Sequence, residues 1–226
     1  MHKIINLTPE KNATRSVGEY VSYVLGDNAS TSYYDENYNI LSESDWLNFD
    51  NIVNESVVFM FVRNPYDRLV SSFIHTCLSF DYTETNPEWY FDLPIIKENQ
   101  LKCFKNFCLD FSKGDIHNAH IDLQTKVIDT HVCSVLKDSS NFSIVPYIEN
   151  KKIFIGKVEH IKDDMSKLVL RFDDAVLVNT KTSLEWIGNN SETKFSRDYT
   201  DWYDDELYDL MTPIFKKELE VLNYGF

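Results

Sequence analysis

An α/β fold, a parallel sheet flanked by helices in a single domain spanning 1–226, is the class this 226-residue chain predicts. Three segments carry the prediction. Each reads as a short apolar strand, then a polar turn, then a helix with apolar residues three and four apart, the succession that supplies parallel strands with helical crossovers. Glycine is scarce, with 6 in the chain, and aromatic residues are plentiful at 14%. That composition excludes a disordered or low-complexity protein, and the length suits one domain with an ample core.

The strongest segment runs Val57-Val58-Phe59-Met60-Phe61-Val62-Arg63-Asn64-Pro65-Tyr66-Asp67-Arg68-Leu69-Val70-Ser71-Ser72-Phe73. Its β-branched and aromatic opening suits a buried strand over 56–62. Pro65 fits the first turn of a helix, where a missing N–H costs nothing, and Leu69, Val70 and Phe73 continue it over 65–79. Arg63 therefore stands at the carboxyl end of a strand, the edge where open α/β sheets bind ligands. Ser71 follows about two turns into the helix. A guanidinium and a hydroxyl suit a phosphate. The same residues also suit a plainer role, Arg63 facing a carboxylate and Ser71 filling a helix–strand contact.

The chain's beginning repeats the pattern. Lys3-Ile4-Ile5-Asn6-Leu7 reads as a strand, and Val17, Tyr20, Val21 and Val24 read as one face of a helix. Thr14 and Ser16 fall near that helix's start, where unpaired N–H groups and the dipole favour an anion. Lys11 and Arg15 add formal charge. Two readings stay open here: a cradle for a phosphate-like group, or a capped surface helix with two solvated cations. The glycines of a Walker loop are absent.

Together these segments resemble the carbohydrate-type sulfotransferases, family 2. Lys11-Asn12-Ala13-Thr14-Arg15-Ser16 is similar to the family's 5′-phosphosulfate loop, P-K-x-[AG]-[ST]-x-S, from its lysine onward. Glu10 separates Pro9 from Lys11, where the family usually has the two adjacent. Arg63 through Ser71 matches the family's 3′-phosphate motif, R-x-P-x-x-R-x-x-S, throughout. Ile155-Gly156-Lys157-Val158-Glu159 and the residues on to Asp164 resemble the family's I-G-x-x-E-x-L-x-x-D. The stretch from Tyr208 to Phe226 looks like its closing helix and aromatic-glycine turn.

The resemblance implies a P-loop-like sulfotransferase fold and an enzyme that moves a sulfuryl group from 3′-phosphoadenosine 5′-phosphosulfate to a hydroxyl of a carbohydrate. It implies Lys11 at the bridging oxygen, with Asn12, Ala13, Thr14, Arg15 and Ser16 holding the 5′-phosphosulfate. It also implies that Arg63 and Ser71 read the 3′-phosphate; for Arg68, bracing the loop through a carboxylate is favoured over touching the ligand. His120 is the leading candidate for the base, because imidazole titrates near neutrality and His120-Ile121-Asp122-Leu123-Gln124 resembles the family's H-x-x-x-Q. His117, His75, Asp35 and Glu36 compete with it. A kinase-like phosphotransferase and a non-catalytic glycan-binding protein on the same scaffold are the alternatives.

A net charge of −14 argues against duplex DNA or an anionic membrane surface as the main partner. It also makes the cations gathered in two short segments more informative. Cys77, Cys103, Cys108 and Cys133 match no zinc spacing and read as reduced thiols, and no metal is expected. No apolar window is long enough to cross a bilayer and no signal peptide is evident, so a cytoplasmic enzyme is expected, with a trimmed catalytic domain as the alternative. Farther along, the spacing predicts a helix over 96–111, a loop from Ser112 to Ala119, and a helix over 120–137. It further predicts a strand from Ile153 to Val158, a helix from about His160 to Phe172, and a long final helix kinked at Pro213.

Overall fold

The computed structural model describes residues 3–9, 14–25, 48–79, 97–114, 144–172 and 198–225. The described residues fall in two compact units, one drawn from 1–63 and 126–195, the other from 64–125 and 196–226.

The first unit contains a parallel sheet of three strands in the order β1 (Lys3–Asn6), β2 (Ser56–Val62), β3 (Ile153–Lys157). Lys3 stands opposite Ser56 and Asn6 opposite Phe59; Val58 stands opposite Ile153 and Val62 opposite Lys157. Val58 through Val62 are all buried, as a strand covered on both faces requires, and the predicted bounds of β2 match the observed ones. Helix α1 (Thr14–Leu25) follows β1, and its predicted face, Val17, Tyr20, Val21 and Val24, is buried against Ile4, Phe59, Phe61 and Phe154. The short α2 (Phe49–Glu55) leads directly into β2, and α5 (Val145–Glu149), opened by Pro146, precedes β3. A 3-10 turn (Val158–His160) and α6 (Ile161–Val169) follow β3, with Met165 and Leu168 in the same core as α1. The predicted strand to Val158 thus ends one residue earlier.

One glycine in this sheet is there for space. Gly156 faces Phe61 across the β2–β3 ladder, and a Cβ at that position would overlap the Phe61 ring. Phe61 is fully buried between Phe59 and Phe154, with centroids 6.3 and 6.4 Å away, so the ring has little room to yield. Gly156→Ala is therefore expected to destabilise the protein by about 1–3 kcal/mol, the usual cost of overpacking a core. A fall in the urea midpoint with an unchanged slope would register it; an unshifted midpoint would show that the ring rearranges freely.

The second unit is helical. It contains α3 (Pro65–Ser79), α4 (Lys97–Lys113), a 3-10 turn (Tyr199–Trp202) and α7 (Asp205–Leu222). The bounds of α3 are those predicted. Helix α4 runs two residues beyond its expected end, so Ser112 and Lys113 are helical, and Gly114 leaves it at φ 79. Leu69, Val70 and Phe73 of α3 pack with Phe104, Phe107 and Cys108 of α4 and with Leu207, Met211 and Phe215 of α7. Aromatic edges dominate this core: Phe73 meets Phe104 and Phe107 at 5.3 Å and Trp202 at 5.9 Å. Burial raises the Cys108 thiol well above its ordinary range, and raises the Tyr203 phenol likewise, so both stay protonated at neutral pH.

Helix α7 begins with an aspartate cap, Asp204 Oδ1 accepting the Leu207 N–H at 2.8 Å, and acidic residues occupy its first turn. It is unbroken through Pro213. It ends in a left-handed Asn223 (φ 51), with the Tyr224 N–H donating to the Leu219 carbonyl at 3.0 Å, the Schellman arrangement. The predicted helix over 120–137 lies outside the described residues.

Candidate active site

Parallel pairing brings the carboxyl ends of β1, β2 and β3 to one edge of the first unit's sheet, the edge that binds ligands in α/β proteins. Three hydrogen bonds guide the chain out of β1 along that edge. The Leu7 N–H donates to the Phe59 carbonyl at 2.8 Å, and the Phe61 N–H donates to Thr8 Oγ1 at 3.0 Å. The Thr8 N–H in turn donates to Asn6 Oδ1 at 2.9 Å. Asn6 and Thr8 are both buried. Side-chain oxygens thus take the place of a ladder that β1 can no longer provide. The strand-to-helix turn starts beside Phe61, two residues ahead of Arg63.

Thr14 and Arg15 lie in the first turn of α1, and Ser16, partly exposed, follows them. Both hydroxyl residues are thus near a helix start, as predicted. Lys11, Asn12 and Ala13 lie outside the described residues, as do the side chains of Thr14 and Arg15. Arg63, partly exposed, directly follows Val62 at the carboxyl end of β2. On the other side of β2, the end of β3 is braced from below. Asp164 of α6 accepts the Lys157 N–H at 2.8 Å and pairs with Lys167 at 2.7 Å. Asp164 is the aspartate that closes the I-G-x-x-E-x-L-x-x-D resemblance, and its role here is to hold the strand end.

In the second unit, Ser71 is partly exposed on α3. Arg68, one turn before it, is fully buried, and its Nη2 donates to Glu218 Oε1 of α7 at 2.9 Å, with Glu218 equally buried. The expectation that Arg68 braces through a carboxylate holds. His120, His117, Asp35 and Glu36 lie outside the described residues, and so does the His75 side chain, whose backbone is helical in α3. Among the described residues, no group of three or more His, Cys, Asp or Glu side chains is placed to hold a metal ion.

Residue-type reasoning missed two contributors. Thr8 carries no signal beyond its place before Pro9. Asn64 did carry one: Asn before Pro is a helix-start pair, and its Oδ1 accepts the Tyr66 N–H at 3.0 Å.

A parallel sheet with helices on it, two strand–turn–helix units and an arginine at a strand's carboxyl end define an α/β protein suited to a phosphorylated ligand. A sulfotransferase family model matches residues 2–225, essentially the whole chain, and the protein belongs to the sulfotransferase family. Its chemistry is accordingly sulfuryl transfer. No curated protein and no solved structure matches the chain significantly.

Proposed function

We propose that this protein transfers a sulfuryl group from 3′-phosphoadenosine 5′-phosphosulfate to a hydroxyl of a carbohydrate. The observation that carries the reading is the R-x-P-x-x-R-x-x-S stretch: its first arginine follows a buried parallel strand, and its serine lies on the helix that comes next. In this reading the turn after β1 cradles the 5′-phosphosulfate in the manner of a P-loop. The N–H groups from Asn12 to Ser16, with the Thr14 and Ser16 hydroxyls, hold its oxygens. Arg63 and Ser71 bind the 3′-phosphate.

The acceptor oxygen attacks sulfur as the bond from sulfur to the bridging phosphate oxygen breaks. Lys11 stabilises the charge that develops on that oxygen, and His120 takes the acceptor's proton. Catalysis of this kind is positioning and electrostatics, as in phosphoryl transfer. Reduced thiols, with Cys103 and Cys108 buried in the second unit's core, support a cytoplasmic setting as part of the same proposal.

Calorimetry with 3′-phosphoadenosine 5′-phosphate and with ADP tests the donor. Binding of the bisphosphate at least tenfold tighter is expected, since ADP lacks the 3′ group. Equal binding would reject the assignment. Transfer from labelled donor to a panel of glycans tests the acceptor, and transfer only to non-carbohydrate hydroxyls would redirect it.

A further inference from the structure

Asn64 makes more contacts than a helix cap needs. Its Oδ1 caps α3 through the Tyr66 N–H at 3.0 Å, and its carbonyl accepts the Arg68 N–H at 2.8 Å. Its amide Nδ2 does something separate: it donates to the Gly225 carbonyl at 3.0 Å and to Tyr199 Oη at 3.1 Å. Serine and aspartate cap as well as asparagine, but neither has that amide donor. The Gly225 carbonyl is itself held in place, because the Schellman turn at Asn223 delivers the segment after α7 to this point.

The neighbouring contacts point the same way. Tyr66 Oη shares a 2.7 Å hydrogen bond with Thr212 of α7, and Tyr203 Oη donates to the Tyr66 carbonyl at 3.0 Å. The Tyr66 ring stacks on Tyr208 and meets Phe215 and Tyr203 edge-on. Burial pushes the Tyr66 phenol up to about 12, so its hydroxyl keeps its proton at any physiological pH. The first turn of α3 is thus pinned to α7 and to the segments on either side of it. Ser71 rides on the same helix.

We infer that Asn64 is a positioning residue: through Nδ2 it ties the start of α3 to the Gly225 carbonyl and Tyr199, and so aims the helix that carries Ser71, a proposed 3′-phosphate contact. The inference rests on the donor reading above. A recognition group must be held to about 0.5 Å to be effective.

Calorimetry of the full chain with 3′-phosphoadenosine 5′-phosphate and with adenosine 5′-phosphate tests it. Asn64→Ser keeps a neutral cap but cannot reach Gly225. It should weaken the bisphosphate about tenfold, the scale of one lost hydrogen bond, and the monophosphate less than twofold. Tyr199→Phe leaves Asn64 and its cap intact and should show the same selectivity at about threefold. Equal loss for both nucleotides, or unchanged bisphosphate binding in Asn64→Ser, overturns the positioning role while the donor reading stands. Should Asn64→Ser fail to fold, Tyr199→Phe decides by the same criterion. A wild type indifferent to the 3′-phosphate overturns the donor reading, and the positioning role with it.

Discussion

Replacing Arg68 with methionine should lower the stability of the protein by about 3–5 kcal/mol, a large fraction of what holds a domain of this size together. Arg68 and Glu218 are both fully buried, and their 2.9 Å contact joins α3 to α7. Removing the cation leaves a buried carboxylate without the guanidinium that faces it. That uncompensated charge is the cost, rather than any net strength of the pair itself. The double variant Arg68→Met, Glu218→Leu removes both charges and should recover most of the loss. Denaturant titration of the two variants separates the cases. A single variant that loses less than 1 kcal/mol would show that Glu218 finds other support, and a double variant no better than the single would show that packing dominates.

Lys11→Ala is expected to have the largest effect on activity. In the proposed reaction the lysine acts on charge that appears only as the bridging bond breaks, so turnover should fall about a hundredfold or more. Affinity for 3′-phosphoadenosine 5′-phosphate should fall much less, because the product's 3′-phosphate contacts are untouched. Single-turnover rates with saturating donor read this directly. Unchanged turnover would remove Lys11 from the mechanism. A loss confined to donor affinity would make it a binding residue, acting equally on ground and transition states.

Much of this protein could be read from local patterns. The run from Val57 to Val62 ends where an arginine begins, and Pro65 marks the next helix so sharply that both elements matched their predicted bounds. Apolar spacing likewise located the buried face of α1. Periodicity is strong in such elements because one face is sealed and the other is not. The final helix likewise runs on through Pro213, with Met211 and Phe215 buried in the core on either side of the proline.

Other features had no local signature. That Glu218 is the partner of Arg68 depends on a separation of 150 residues, which no spacing rule spans. Gly156 reads in sequence as a motif glycine, and only register places it opposite Phe61. Thr8 acquires its role from the N–H of Phe61, and Asn64 from a carbonyl 161 residues away. What this sequence determined by itself was the kind of element at each place and the residue types offered to an anion, because hydrophobic period and helix-end chemistry are properties of neighbours along the chain. What only the tertiary structure decided was which buried polar group answers which. A hydrogen-bond partner is fixed by distance in space, and the folded chain sets that distance after its apolar faces have closed.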